Sequence, residues 1–179
     1  RMWEIGGYVM SLKNLGVDVA SAAMDRNGVF FHSNPIYIEY ETEDGDIVTY
    51  TRVIESIDLK EGSATIYSNI SEDTTMSIVS LRIENIQSSS VMLGREIAKI
   101  MADSSEDSYK YSSAICISCY GRYLIAASQH EIEAGALLQN LPDGLSMAGF
   151  YSYGEICPVT VGENNNNIVH NCSITMCVF

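Results

Sequence analysis

Basic residues are scarce in this sequence. Lys and Arg together number 10 against 23 Asp and Glu in 179 residues, which gives a net charge of −13. An acidic surface repels phosphate groups, so we do not expect this protein to bind nucleic acid or to dock on an anionic membrane. One basic residue inside a pocket can still bind an anion, because the overall charge does not decide the local one.

Segments that would place the chain in or across a membrane are also missing. No apolar run approaches the roughly 20 residues that span a bilayer. The N-terminus lacks the apolar core of a signal peptide, since Arg1 is followed by Trp3 and Glu4. Because the sequence begins with Arg1 instead of Met, we expect a domain cut from a longer protein.

The five cysteines are an odd number, and all lie in or beside apolar segments. This usage indicates free thiols in a reducing compartment, and we therefore expect a cytoplasmic location. Cys116 and Cys119 form a Cys-x-x-Cys string, but it lies in a predicted strand, where side chains three residues apart face opposite ways. We predict no metal and no cofactor.

Signatures of catalysis are absent as well. The sequence has no Gly-x-Ser-x-Gly elbow, no phosphate-binding Gly-rich loop, no His-Glu-x-x-His and no acidic metal loop. Glu155 and His170 are the one pair suited to general acid–base chemistry, with Cys119 or Cys157 as a conceivable nucleophile. We predict that the protein is not an enzyme; a hydrolase using Glu155 and His170 is the alternative, and a pure protein-interaction module is a third hypothesis.

With 46% apolar and 18% charged residues, the chain is typical of a single globular domain. Alternating apolar residues and turn signals such as Asp44-Gly45 predict an antiparallel meander in the middle of the chain. Arg52 is expected to face water. The predicted strands are Ile36–Glu41, Ile47–Ile57, Ser63–Tyr67 and Thr75–Ile83.

Strand–helix–strand units flank this meander. A short strand from Met2 and a helix over Tyr8–Leu15 are predicted before it. Ser88–Ser90 offer N-caps to a helix whose inward stripe is Leu93, Ile97, Ile100 and Met101. Ser128 and Glu131 form a capping-box pattern for a second helix that ends near Leu141. Buried strands are predicted over Tyr109–Cys119 and Leu145–Tyr151, and a closing strand over His170–Phe179. The predicted class is α+β, a mixed sheet packed by a few helices.

The most informative stretch is Gly149–Pro158, followed by His170 and Asn171. It has a strand-like start, two tyrosines, a turn at Gly154, a carboxylate at Glu155 and a terminating proline. On the residues alone, a strand–loop junction with a solvated Glu155 is the simpler interpretation, and the wall of a binding site is the other.

The same stretch, Phe-x-x-Tyr-Gly-Glu-Ile-x-Pro and then His-Asn, resembles the end of the C-terminal half of the FIST sensory domain. Two further segments fit the pattern in order. One is Cys119–Arg122 with Glu131 downstream, and the other is Glu4–Gly7 leading to Leu15 and Gly16. The resemblance therefore spans nearly all of the chain, residues 1–179.

The resemblance implies an intracellular input domain of a microbial, bacterial-type signal-transduction protein that binds a small molecule without covalent chemistry. Amino acids or similar small carboxylates are the implied ligands. The implied partners are the N-terminal half of the sensory domain and an output domain such as a chemoreceptor, a kinase or a cyclic-dinucleotide enzyme. The implied ligand-binding residues are Arg122, Tyr153, Glu155, His170 and Asn171.

Two of these residues also have simpler interpretations. Arg122 can pair internally with Glu131 or Glu155 instead of contacting a ligand, because an arginine leaving a buried strand needs a carboxylate partner. His170 can serve to hold the preceding loop through a hydrogen bond.

Overall fold

A computed structural model of the chain describes residues 2–4, 18, 28–41, 45, 47–61, 63–70, 74–103, 111–158 and 167–179. The helix predicted over Tyr8–Leu15 lies outside these residues. The chain divides into two compact units. The first unit is Arg1–Leu81 with Ile156–Asn171, and the second unit is Arg82–Glu155 with Cys172–Phe179.

The first unit is built mainly of strands. They are β1 (Met2–Glu4), β2 (Ile36–Glu41), β3 (Ile47–Arg52), β4 (Ile54–Asp58), β5 (Ser63–Ile66), β6 (Thr75–Ile78), β9 (Glu155–Pro158, whose first residue belongs to the second unit) and β10 (Asn167–His170), and a short helix, α1 (Val29–Ser33), precedes β2. Two antiparallel sheets result, ordered β3-β2-β6 and β1-β5-β4, and β9 pairs with β10. The predicted antiparallel character of this region is confirmed.

The β2–β3 hairpin forms where the alternation and the Asp-Gly signal predict it. Glu41 pairs with Ile47 across the turn, and Gly45 in the turn has a φ of 84°, which favours glycine. Ile36 and Ile38 of β2 are buried at 5% and 0% exposure. The apolar face of β2 is thus the core of this sheet.

The single strand predicted over Ile47–Ile57 is wrong, because the chain leaves one sheet and enters the other at Val53. Arg52 is buried at 5% exposure, not solvated as predicted. Its guanidinium lies 4.1 Å from the centre of the Tyr50 ring and donates to the carbonyls of Asn69 (3.1 Å) and Val169 (2.7 Å). These contacts hold the chain at the point where it changes sheets.

The second unit consists of three helices and a three-stranded sheet within its described residues. Its helices are α2 (Ile83–Asp103), α3 (Tyr120–Ala126) and α4 (Glu131–Leu138), and its strands are β7 (Ser113–Cys119), β8 (Ser146–Ser152) and β11 (Ile174–Val178). The sheet has the order β11-β7-β8, with β7 antiparallel to β11 and parallel to β8. The predicted α+β class and the mixed sheet are confirmed.

The helix after the meander begins earlier than its serines predict. The predicted strand over Thr75–Ile83 ends at Ile78, and α2 already begins at Ile83. The N-cap prediction for Ser88–Ser90 is wrong, since these serines lie within the helix and Ser90 Oγ donates to the Ile86 carbonyl at 2.8 Å. Ile97 is buried as predicted, whereas Ile100 is 39% exposed.

Three strand and cap predictions in the second unit also need correction. β7 is not buried on both faces along its whole length: Ala114 and Cys116 are buried on one face, whereas Ile115 on the other face is 43% exposed. β8 is an edge strand with exposed side chains, Phe150 at 59% among them, and is not buried. The capping box at Ser128 does not form: α4 begins at Glu131 without a side-chain cap, and α3 was not predicted.

The strand predicted over His170–Phe179 is interrupted. β10 ends at His170 and β11 begins at Ile174, and between them Cys172 has a φ of 58°, in the left-handed region. This turn lies where the chain passes from the first unit to the second.

Candidate functional site

Two polar clusters lie at the carboxyl ends of β7 and β8. Because these strands are parallel neighbours, their ends meet at one edge, which is where open α/β sheets bind ligands. Ser118 pairs with Tyr151 in the register and Cys119 with Ser152. Successive strand residues face opposite sides, so the first pair faces α4 and the second pair faces the other side of the sheet.

The cluster on the α4 side centres on the carboxylate of Glu133. Arg122 Nε donates to Glu133 Oε1 at 2.6 Å, and the Ser118 hydroxyl donates to Oε2 at 2.8 Å. Glu133 and Arg122 are both 4% exposed. The two charges are therefore buried together, which folded proteins tolerate only when the groups are paired and hydrogen-bonded.

Arg122 also ties this pair to α2. Its Nη2 lies 3.2 Å from the Ile86 carbonyl and 3.0 and 3.1 Å from the hydroxyls of Ser89 and Ser90. The internal pairing considered for Arg122 does form, but its partner is Glu133 and neither Glu131 nor Glu155. Ser89 and Ser90, which were predicted as helix N-caps, instead accept hydrogen bonds from the Arg122 guanidinium.

A cavity of about 200 Å³ lies between α4 and the β7–β8 face, with Glu133 in its wall. The remaining lining is mostly apolar, namely Cys116, Ser118, Ala134, Leu137, Met147, Gly149, Phe150 and Tyr151. Gly149 is required for the strand spacing here, because a Cβ at this position would lie 2.5 Å from the Cys116 carbonyl oxygen.

Titratable groups in this wall are shifted toward their neutral forms. Burial raises the pKa of Cys116 to about 11, and the charge of Glu133 adds to the shift. Burial likewise raises the pKa of Tyr151, whose hydroxyl is hydrogen-bonded to Glu133. Both raised pKa values keep the Cys116 thiol and the Tyr151 phenol of this wall neutral at neutral pH.

A wider, open groove of about 550 Å³ runs along α2 and α4. Its lining includes Gln87, Gln129, His130 and Gln139, and it lacks a buried charged pair. The smaller cavity therefore has the stronger polar anchor.

The cluster on the opposite face centres on Glu155, which is 2% exposed. Ser152 Oγ donates to its Oε1 at 2.6 Å and Ser173 Oγ to its Oε2 at 2.9 Å. Burial raises the pKa of Glu155, while hydrogen bonds from the two serines and from the Cys119 thiol partly oppose that shift. The interpretation of Glu155 as a solvated residue is wrong.

Tyr153 belongs to a series of aromatic contacts at the same edge. It is 83% exposed, and its ring centre lies 5.2 Å from that of Tyr120. Tyr120 stacks on Tyr123 at 5.4 Å, and Tyr123 in turn contacts Tyr151 at 5.2 Å and His130 at 4.0 Å. The series connects the exposed Tyr153 to Tyr151 in the cavity wall.

His170 and Asn171 lie in the first unit and make structural contacts there. His170 Nε2 lies 3.2 Å from the Cys157 carbonyl, and burial lowers the pKa of its imidazole. Asn171 is 4% exposed, and its Oδ1 accepts the Val53 N–H at 3.2 Å while its carbonyl accepts the Thr51 hydroxyl. These bonds hold β10 beside the point where the chain changes sheets.

The five predicted residues thus occupy separate surroundings. Arg122, Tyr153 and Glu155 belong to the second unit, and His170 and Asn171 to the first. Sequence reasoning missed Glu133. The spacing in the sequence does indicate it, because Glu133 lies three residues before Ala136 and four before Leu137 and therefore shares their buried helix face.

The described residues were also compared with the requirements of metal sites and of membrane-spanning helices. Among the described residues, no group of three or more His, Cys, Asp or Glu side chains is placed to hold a metal ion. No helix in the described ranges is both long enough and apolar enough to cross a membrane.

Comparison with known proteins supports one family. No curated protein and no solved structure matches the chain. The model of the FIST C domain matches residues 15–158, which include Arg122, Tyr153 and Glu155 and stop before His170. The chain therefore belongs to the FIST C domain family, a family of sensory domains of signal transduction and not of catalysts.

Proposed function

We propose that this protein is an input domain that binds an amino acid or a similar small carboxylate and thereby regulates a linked output domain in the bacterial cytoplasm. The observation that carries this proposal is the 200 Å³ cavity with the buried Glu133–Arg122 pair beside it. The proposed partners are the N-terminal half of the sensory domain and a chemoreceptor, a kinase or a cyclic-dinucleotide enzyme.

The size and lining of the cavity favour a small ligand. Pockets for drug-sized ligands measure roughly 300–1,000 Å³, so a cavity of about 200 Å³ suits a molecule of amino-acid size. Leu137, Met147 and Phe150 offer an apolar wall, and Glu133 offers a negative charge. An amino acid brings an ammonium for that carboxylate and a side chain for that wall, and it therefore fits better than a plain carboxylate.

The contacts of Arg122 suggest how binding is transmitted. Arg122 joins α2 to α4, because it donates both to Glu133 and to the Ser89 and Ser90 hydroxyls. A ligand ammonium at Glu133, or a ligand carboxylate at Arg122, competes with this ion pair. The ligand then favours one arrangement of the two helices over another and shifts their populations.

The five residues taken from the family resemblance remain part of this proposal in different ways. Arg122 acts through Glu133, which lines the cavity. Tyr153 lies at the exposed end of the aromatic series. Glu155, His170 and Asn171 stay predictions as ligand contacts, and their observed partners are protein groups.

A thermal-shift screen tests the proposal. The panel comprises amino acids, small carboxylates, nucleotides and divalent metals. A ligand that binds only the folded state at 100 times its dissociation constant adds about 2.7 kcal/mol, a shift of several degrees for a chain of this size. We expect a shift with amino acids, and no shift with any class contradicts a pocket in this chain.

Two matched tyrosine variants locate the site. Tyr151→Phe removes the hydroxyl in the cavity wall, and Tyr153→Phe removes the hydroxyl of a ring outside that lining. If the cavity holds the ligand, only Tyr151→Phe weakens binding. Loss of binding in Tyr153→Phe alone would move the site to the exposed aromatic edge.

A further inference from the structure

The thiols of Cys119 and Cys172 lie together at the end of the β7–β11 ladder. The Cys119 N–H donates to the Ser173 carbonyl at 2.9 Å, and Ser173 directly follows Cys172, so the two cysteines lie one register position apart across the ladder. Neither forms a disulfide; both are buried, at 4% and 8% exposure, and both belong to the second unit. Their side chains are hydrogen-bonded to each other.

The two thiols differ in acidity. The pKa of Cys119 lies below its ordinary value, chiefly because the Cys172 thiol donates a hydrogen bond to it and also because backbone amides of Gly121 and Cys172 contribute. Burial and the charge of Glu155 oppose this effect. The pKa of Cys172 is raised, first by its hydrogen bond to Cys119 and then by burial. Cys119 is therefore the better nucleophile.

We propose that Cys119 and Cys172 are a site of reversible oxidation, at which hydrogen peroxide converts the two neighbouring thiols into an intramolecular disulfide. The Cys119 thiolate attacks the peroxide oxygen, the O–O bond breaks, and the leaving hydroxide takes up a proton to become water. The resulting sulfenic acid is attacked by Cys172, the S–S bond forms, and a second water leaves. The peroxide is reduced by two electrons, and the two thiols are oxidised.

Oxidation would act directly on Glu155. In the reduced state the Cys119 thiol is one of the hydrogen-bond partners that stabilise the Glu155 carboxylate. A disulfide has no proton to donate, so Glu155 loses this partner and keeps Ser152 and Ser173. Oxidation of the thiol pair would thus change the hydrogen bonding of Glu155, on the sheet face opposite the cavity.

Peptide mapping of the wild-type protein tests the proposal. The folded protein is treated with hydrogen peroxide, the remaining thiols are alkylated in denaturant, and linked peptides are located by fragmentation. We expect a Cys119–Cys172 linkage with the loss of two hydrogen atoms, reversed by dithiothreitol. Bulky alkylating reagents should label the exposed Cys177 of the folded protein first.

Variants separate this pair from the other cysteines. In the chain carrying Cys116→Ala, Cys157→Ala and Cys177→Ser, two thiols remain. Peroxide should consume both thiols without linking one chain to another. Adding Cys119→Ser or Cys172→Ser should abolish disulfide formation within the chain.

Several outcomes overturn the proposal. One is that Cys119 and Cys172 of the folded wild type remain fully alkylatable after peroxide treatment, while Cys177 is oxidised. Another is that the linkage forms only in denaturant, and a third is that Cys119 proceeds to sulfinic acid without linkage. The wild-type map decides between them even if a variant fails to fold.

Discussion

Separating the buried charges of Arg122 and Glu133 should destabilise the second unit strongly. Glu133→Leu leaves the Arg122 guanidinium at 4% exposure without its carboxylate, and Arg122→Met leaves the Glu133 carboxylate with Ser118 and Tyr151 only. Removing one partner of a buried ion pair costs about 3–5 kcal/mol, because the remaining charge is neither hydrated nor paired.

The double variant Arg122→Met/Glu133→Leu should lose much less than the sum of the two single changes. It removes both charges at once, so no buried charge remains unpaired. Ser90 keeps its bond to the Ile86 carbonyl and is not left unsatisfied. We expect a coupling free energy of at least about 3 kcal/mol between the two positions, the upper end of the range for residues in contact.

Urea unfolding and thermal melting, followed by circular dichroism, measure these changes. A loss of 3–5 kcal/mol corresponds to a fall in melting temperature of roughly 6–20 °C for a chain of this size. The matched control is Arg95→Met, which removes an exposed arginine of α2 and should change stability by less than about 0.5 kcal/mol.

The reasoning is refuted if both single variants lose less than about 1 kcal/mol, as exposed ion pairs do. It is also refuted if the double variant loses the sum of the two, since the charges would then not depend on each other.

Three further changes have defined outcomes. Gly149→Ala should cost about 1–3 kcal/mol in urea unfolding because its methyl group meets the Cys116 carbonyl, whereas Gly135→Ala in α4, with nothing within 4 Å of its Cβ, should gain up to about 1 kcal/mol. Asn171→Ala removes a buried acceptor of a backbone amide and should cost about 1–3 kcal/mol in urea unfolding. Burial raises the pKa of Glu155 above 4.5, so its contribution to stability is full below that pH and is lost as the pH rises from 4.5 through the raised pKa; the melting temperature of Glu155→Gln should therefore improve relative to wild type as the pH is raised above 4.5.

The regular parts of the fold follow from local pattern. β2 occupies its predicted residues, Ile36–Glu41, because the alternation of its side chains matches one buried and one exposed face. The interruptions at Val53 and Cys172 do not follow from local pattern. The amide of Val53 is held by Asn171, 118 residues away, and no local rule contains such a partner.

The candidate site was predictable in part for the same reason. Arg122 is predictable as a functional residue because basic residues are few and this one follows a strand. The sequence suggests Glu131 or Glu155 as its partner, whereas the structure shows Glu133, which faces inward because of its position on α4. Serine is a common N-cap residue, and the sequence therefore does not show that Ser89 and Ser90 lie inside α2. Their role as hydrogen-bond acceptors for Arg122 depends on how Arg122 packs against that helix.

The order in which the two units appear along the chain limits how the protein can be divided. The chain passes between the units three times, after Leu81, after Glu155 and after Asn171. A fragment that stops at Leu81 lacks β9 and β10, and a fragment of residues 82–155 lacks β11, the neighbour of the central strand β7. Neither unit can be released by a single cut, so proteolysis at a surface loop should yield nicked chains whose pieces remain associated.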